Sequence, residues 1–572
     1  MIQGFNIEKI QSKTDLPTLK VNNFLLHSKY DPKKEAEQFV KSQYIENHVH
    51  LLFGFGLGYF AEALKKKINE NDRLVIIDPL FKEIKSITNQ GDYHMIVDVT
   101  EKNIEIELNN LLNDYNVNVK LICSPNYDKL FPDLYKLVLK TVKDVLSVNS
   151  VFFNTINYFA EIWQENYIRN YFYIFEDGSL SELEKRYNLP VVIASGGPSL
   201  TKQIPLLKKV RNNVLLIAAG STVNTLLHYD IEADYVVSVD GSIANYNHFK
   251  DSIFQKSKLI YSVRNHYKIR EQFKGPAFSF IPSFEPGVYE HIEKITGKQL
   301  PTLLGGASVA NYTLTIAERI SSGPIALIGQ DLAYTENKTH AEHNKHFSNV
   351  NDKFKEERRT FFTEGYDGEN VLTDAVFLSM KKGFEQIAEV SEEAKRFFNC
   401  TEGGVKIKGF RQKTFQEFCD DIESWKEKSR NNECIGPSVD INNWRDFYAK
   451  IQAEIKIYEE ILHQLNKGLR HLKENPSKIM FSQKAIKGLN KVDKKLKELL
   501  NKVSMNSIVE PVTMDVLNKF LPKQGESKAE EYARVFKQNQ VLYDRLLNAT
   551  NLSRRYTENL LEQIKKTRHG DE

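Results

Sequence analysis

From residue 49 onward, short apolar runs alternate with longer stretches in which apolar positions recur every three or four residues. Such short runs bounded by Gly, Asn or Asp read as buried strands, and the stretches between them as amphipathic helices. Residues 49–53, 73–77, 95–99 and 119–123 are the strands this predicts for a first α/β domain. Residues 130–187 read as helical and rich in Phe and Tyr, with a break at Asp177, Gly178 and Ser179. A second run opens at Pro190, with strands predicted at 191–194, 214–219, 235–239, 259–263, 277–281 and 325–328. Strands alternating with helices imply parallel sheets with helices on their faces. Residues 335–369 are polar and weakly periodic. A loop of that length in a compact domain is more often functional than accidental, which makes it the expected lid.

Beyond about residue 430 the pattern becomes helical throughout. Trp444, Tyr448, Ile451, Ile455, Tyr458, Leu462, Leu465, Leu469 and Leu472 alternate four and three apart, the spacing of one helical seam. Ala485, Leu489, Val492, Leu496, Leu499 and Val503 repeat it, and a third helix is expected over 529–564. Pro476, Pro511 and Pro522 are read as the breaks between helices, and a three-helix bundle as the result. Residues 431–572 carry 25 basic and 19 acidic side chains, a net +6, against −3 for residues 1–430. The expected division is therefore an α/β domain over 1–150, a helical connector over 151–189, a central α/β domain over 190–429 with its lid at about 335–370, and a helical bundle over 430–572.

At 572 residues, 41% hydrophobic and 27% charged, the chain is long enough for several cores and too apolar for wholesale disorder. A net charge of +3 gives no reason to expect nucleic acid or an acidic membrane surface. Cys123, Cys400, Cys419 and Cys434 form no CxxC pair, so a reducing, cytoplasmic setting is expected rather than zinc or a disulfide framework. The most apolar region, 151–175, is interrupted by Asn154, Asn157, Glu161, Glu165 and Arg169, which fits a packed helix better than a membrane span. The first residues lack a basic patch followed by an apolar stretch, so no export is expected.

Candidate chemistry gathers at predicted strand ends. Gly54, Gly56 and Gly58 follow one strand and Asp78 ends the next, as in a methyltransferase-type Rossmann opening, although a ligand-free tight turn has the same signature. In the second run, Gly196, Gly197, Pro198 and Ser199 lead from strand to helix. Two glycines permit close approach, Pro198 presets the first helical turn, and the N–H groups with the Ser199 hydroxyl are expected to face a phosphate. Gly220, Ser221, Thr222 and Asn224, then Asp240, end the next two strands, and Gly305, Gly306, Ala307 and Ser308 open another helix. Open parallel sheets bind ligands along this edge. Gln330 and Asp331 end the strand at 325–328; Thr401, Glu402, Gly403 and Gly404 follow a short strand at 397–400. Each carboxylate is either a functional acid or a turn acid satisfied by nearby N–H groups. His340, His343 and His346 recur every third residue; they read as a solvated face rather than a metal site, with His340 the best acid or base.

Taken in order, Gly196-Gly197-Pro198-Ser199-Leu200, the stretch from Ile231 to Asp240, Gly305-Gly306 with Ser308, Gly329-Gln330-Asp331-Leu332-Ala333 with His340, and Thr401-Glu402-Gly403-Gly404 resemble the motility-associated factor (Maf) family of flagellin glycosyltransferases. The specific motifs span about 190–410, and the flanking regions resemble the family's outer domains. The resemblance implies an α/β protein with an amino-terminal Rossmann-like domain, a central Rossmann-like domain similar to bacterial sialyltransferases, and a carboxy-terminal all-α bundle that meets the protein acceptor. It implies transfer of a nonulosonic acid, such as pseudaminic or legionaminic acid, from a CMP-activated donor to Ser or Thr of flagellin in the cytoplasm, in support of flagellar assembly and motility. Gly196, Gly197, Ser199, Ser221, Asn224, Asp240, Gly305, Gly306, Ser308 and Gln330 would then hold the nucleotide sugar, and Asp331, Glu402 and His340 would compete as catalytic groups. No cofactor is required on this reading, and a divalent cation is an optional addition.

The same central pattern resembles archaeal 6-hydroxymethylpterin diphosphokinases, which are compact; the large amino-terminal region and basic tail here favour a protein acceptor. A rival of another class is a non-catalytic flagellin-binding assembly factor whose glycine turns are scaffold only.

Overall fold

The structure, a computed structural model, describes residues 5–88, 91–112, 118–283, 287–422, 441–477, 479–522 and 525–569. Cys434 and the domain boundary expected near residue 430 lie outside them. The chain forms two compact units, one of residues 1–158, 468–490 and 510–546, the other of residues 159–467, 491–509 and 547–572.

In the first unit a parallel sheet runs in the order His94–Ile96, Arg73–Ile77, Val49–Phe53, Val119–Cys123. Its central strands are buried on both faces: Leu51, Phe53, Val75 and Ile77 belong to one core cluster, Leu52 and Ile76 to another. That two-sided burial is why they read as continuous apolar runs. A small antiparallel sheet of Ile7–Gln11, Pro17–Val21 and Phe24–Leu25 is not among the expected elements; its first strand exposes four of five residues, so no apolar alternation marks it.

The second unit is built on a sheet whose strands run, edge to edge, Thr302–Leu303, Ala277–Pro282, Lys258–Ser262, Tyr235–Ser238, Leu215–Ala219, Val191–Ala194, Ile325–Ile328, Phe397–Asn399 and Arg411–Gln412, all parallel. Strand order reverses between Val191–Ala194 and Ile325–Ile328. Crossovers on either side of that pair leave in opposite directions, the arrangement at which open α/β sheets commonly bind a ligand. Helix Pro132–Glu176 ends at a buried anchor: Asp177 receives two hydrogen bonds from Arg270, at 2.6 and 2.5 Å, and one from the Tyr261 hydroxyl at 2.8 Å.

The helices beyond residue 440 do not make a unit of their own. Ile441–Lys473, Gln483–Leu500, Asn506–Lys519 and Lys528–His569 are shared between the two units. They number four among the described residues, because Pro511, read as a break, lies inside Asn506–Lys519; there its missing N–H interrupts a single ladder bond. The buried stripe of Ile441–Lys473 is also offset from the expected seam. Phe447, Ile451, Glu454, Tyr458, Ile461, Leu465, Gly468 and Leu472 are buried, whereas Trp444, Tyr448, Ile455, Leu462 and Leu469 are only half-buried. Glu454 goes inside because His291 Nε2 lies 2.7 Å from its carboxylate. Gly468 goes inside because the Tyr543 ring packs so close that a Cβ would meet it at 2.7 Å. Along Gln483–Leu500, the expected Ala485, Leu489, Val492, Leu496 and Leu499 are buried.

Candidate functional site

Two glycine turns flank the reversal point of the large sheet. Behind the first, Asp331 is buried and accepts from the Ser199 N–H at 3.2 Å and the Ser199 hydroxyl at 2.8 Å. The Gly197 N–H donates to the Gly329 carbonyl at 2.8 Å. A Cβ on Gly197 would strike the Asp331 carboxylate, so only glycine lets the turn lie this close. These contacts correct the expectation that Gly197 and Ser199 offer their N–H groups to an anion: both are turned inward. Burial pushes the Asp331 pKa up, opposed by the Ser199 hydrogen bonds.

The neighbouring polar groups are scaffold of the same kind. Gln330 accepts from the Ser195 hydroxyl at 2.5 Å, and its own N–H reaches Thr401 Oγ1 at 3.3 Å. Glu402 is exposed, at φ +56°, and accepts from the Phe415 N–H at 3.0 Å and from Gln203 Nε2 at 3.3 Å. It thus satisfies the start of helix Phe415–Ile422. Gly404, at φ +71°, packs against the Asp331 backbone, and the Val405 N–H donates to the Asp331 carbonyl at 2.8 Å. Both acids, named above among the expected catalytic groups, bind scaffold groups here.

On the open side of the turn the picture is different. The Ala341 N–H donates to the Gly196 carbonyl at 2.9 Å, which lays residues 338–350 across the strand ends. A Cβ on Gly196 would meet Asn344 Nδ2 at 2.9 Å, Thr222 Oγ1 at 3.5 Å and His340 at 3.8 Å. Asn344 Nδ2 also lies 3.5 Å from the Ser221 hydroxyl, and the space above Gly220 is bounded by Val309 at 3.8 Å. Gly196, Ser221, Asn344, His340 and the start of helix Val309–Ile320 therefore share one corner. Ser308 caps that helix through Asn311, and Asn224 Nδ2 reaches the Ser221 carbonyl at 3.2 Å. The segment expected as a lid is ordered: it holds helix Asp352–Arg358 and the antiparallel pair Phe361–Glu364 and Asn370–Thr373.

Of the three regularly spaced histidines, His343 and His346 are exposed, as expected of a solvated face, and His340 is half-buried. His343 stacks on His228 with ring centroids 3.5 Å apart, His346 Nε2 lies 3.0 Å from His248 Nε2, and the rings of His340 and His346 are 5.5 Å apart. Burial, reinforced by His346, lowers the pKa of His340 to about 4 and that of His248 to about 4. Both imidazoles are neutral near pH 7. Among the described residues, no group of three or more His, Cys, Asp or Glu is arranged to hold a metal ion.

Further along the same edge, Asp240 is exposed and accepts from the N–H and hydroxyl of Ser242 at 2.9 Å each. Beneath Gly305 lies the Tyr312 ring, and Gly306 packs on Asn311. Sequence reasoning missed Arg264, which follows Lys258–Ser262: its guanidinium lies 5.0 Å above the Trp163 ring and within electrostatic reach of Asp240 and Tyr312. No glycine motif accompanies it, so its position after a parallel strand was the one available signal.

The first unit's glycine turn is filled by its own side chains. Asp78 accepts from the Phe55 and Leu80 N–H groups at 2.8 and 2.7 Å. The Gly56 N–H donates to the Tyr127 hydroxyl at 3.0 Å, which donates to Asp78 at 3.1 Å; the Leu57 N–H donates to His27 Nε2 at 2.9 Å. The groups that would grip a nucleotide there are satisfied internally. Among the described residues no helix is long and apolar enough to cross a membrane.

Comparison with known proteins agrees with this architecture. A family profile described as "6-hydroxymethylpterin diphosphokinase MptE-like" matches residues 165–337. The solved structure of the Maf glycosyltransferase from Magnetospirillum magneticum AMB-1 is similar over 100% of this chain and 96% of its own, at 14% identity and a TM-score of 0.62. The two share their fold across the full length. Comparison with curated proteins returns no significant match.

Proposed function

We propose that this chain is a glycosyltransferase that carries a nonulosonic acid, such as pseudaminic or legionaminic acid, from its CMP-activated form to Ser or Thr of flagellin in the cytoplasm. The observation that carries this reading is the corner where Gly196, Ser221, Asn344 and His340 meet at the reversal point of the large sheet. Whole-length likeness in fold to a Maf glycosyltransferase supports it.

On this reading the acceptor hydroxyl displaces CMP from the anomeric carbon from the opposite face, with inversion. The bond to the leaving phosphate breaks through an oxocarbenium-like transition state, so donors fixed around Ser221 and Asn344 stabilise the departing charge more than the ground state. Neutral His340 takes the hydroxyl proton. Asp331 and Glu402 act as positioning residues that fix the Gly196 turn and the adjoining helix. No resident cofactor is required.

The test is direct. Purified protein, flagellin and CMP-nonulosonic acid should give a mass increase on flagellin equal to one sugar residue per modified site. Binding of flagellin with no mass change would replace the enzyme by an assembly factor. The match at residues 165–337 favours a second reading, a diphosphokinase, which predicts AMP release from ATP in the presence of a hydroxymethylpterin.

A further inference from the structure

We infer that His248 and His346 form a two-imidazole site for a divalent ion of the zinc type, which clamps residues 338–350 to helix Ile243–Phe249. The inference goes beyond the glycosyl-transfer reading and does not depend on it. The two Nε2 atoms lie 3.0 Å apart, the ring centroids are 4.5 Å apart, and the ring planes meet at 73°. In a head-on N–H···N bond each ring centre lies directly behind its nitrogen, which would separate the centres by about 5.3 Å. Two imidazoles that share one ion, each nitrogen about 2.0–2.1 Å from it, subtend roughly 95° at the ion and bring the centres to about 4.7 Å. The observed spacing is that of rings converging on a common point.

Neighbouring bonds hold the two residues in place, as a preorganised site requires. The His346 N–H donates to Asn344 Oδ1 at 3.0 Å, and the His346 carbonyl accepts from Thr339 Oγ1 at 2.9 Å. Lys345 Nζ donates to the Asn247 carbonyl at 2.8 Å and pairs with Asp251 at 3.3 Å. Segment and helix thus already meet at a second point, and the ammonium beside the pair is balanced by a carboxylate. Burial lowers the His248 pKa to about 4, so near neutral pH its ring has no proton to release before it binds an ion. Imidazole nitrogen suits zinc and its first-row neighbours, whereas magnesium and calcium take oxygen. Among the described residues no third His, Cys, Asp or Glu joins the pair as a metal donor, so the remaining positions fall to water or to an oxygen of a bound anion. The His340 ring, 5.5 Å from that of His346, borders the Gly196 corner, so the clamp stands next to that corner.

The test uses the full chain, treated with a chelator and then titrated with zinc chloride. Calorimetry should show zinc binding that His248→Asn and His346→Asn each weaken at least about tenfold, since each variant removes one of two donors. Hydrogen exchange of residues 338–350 should slow with zinc in wild type and in neither variant. Magnesium chloride at the same concentration should leave that exchange unchanged. Wild type that binds no zinc, or variants that keep its zinc affinity, would overturn the site. Zinc bound through both histidines with exchange unchanged would overturn the clamp, and equal slowing by magnesium would mark charge screening and overturn it too. Should His248→Asn fail to fold, His346→Asn decides alone, because its side chain is exposed. Neither measurement reads sugar transfer, so failure of the metal site and failure of the glycosyl-transfer reading are told apart.

Discussion

Asp331 holds Ser199 by both its backbone N–H and its hydroxyl, so one buried carboxylate fixes the turn that begins at Gly196. Replacing Asp331 by Ala strands a buried N–H and a hydroxyl, at a cost of about 2–4 kcal/mol. Asp331→Asn keeps one acceptor and should lose roughly half of that. Urea unfolding measures both, and transfer should fall in parallel with loss of turn order. An Asp331→Ala variant of wild-type stability would remove the acid from this positioning role.

His340 should behave in the opposite way, with little effect on stability and a large one on turnover. His340→Gln is expected to lower the rate of sugar transfer at least about a hundredfold while CMP affinity stays within a few-fold. Rapid-quench kinetics beside calorimetry separates the two, and an unchanged rate would exclude the assigned proton transfer.

Acid should loosen residues 338–350. His340 and His248 have folded pKa values lowered to about 4, below the unfolded value near 6.5. The unfolded state therefore binds more protons between those limits, and the stability they contribute is present above about pH 6.5 and lost as pH falls toward 4. His346, Asp240 and Lys345 are the charged or titratable neighbours that modulate this window. Hydrogen exchange of residues 338–350 should rise between pH 7 and 5 beyond its intrinsic trend, and a His248→Asn variant should flatten the response.

The anchor after helix Pro132–Glu176 carries a larger stake. Arg270→Met leaves the Asp177 carboxylate buried against Tyr261 without its ion partner, and removing one member of such a pair costs about 3–5 kcal/mol. A double-mutant cycle with Asp177→Asn should show strong coupling in the denaturation midpoint, whereas additive losses would mean that the two act separately.

For the first unit the expectation is silence. Because Asp78, Tyr127 and His27 satisfy the glycine turn, S-adenosylmethionine and NAD should give no binding heat. Saturable binding abolished by Tyr127→Phe would show that the turn opens to a ligand.

The sequence disclosed most of the two parallel sheets, because strands buried on both faces announce themselves as apolar runs. It disclosed the turns at Gly196, Ser221 and Gly305 as well, since glycines directly after apolar runs mark where strands end. It did not disclose that Asp331 and Glu402 face scaffold groups, for a carboxylate's partners are set by tertiary contacts invisible in spacing. The same limit explains the offset stripe of Ile441–Lys473: Glu454 and Gly468 are buried by His291 and Tyr543, residues remote in the chain, so apolarity pointed to their neighbours. Arg264 escaped notice because a single arginine after a strand has no signature.

The bond from Ala341 to the Gly196 carbonyl joins main chain to main chain, so it uses no side-chain atom of either residue. Deuterium uptake at the Ala341 amide, corrected for its intrinsic rate, consequently gauges how often residues 338–350 release the strand ends.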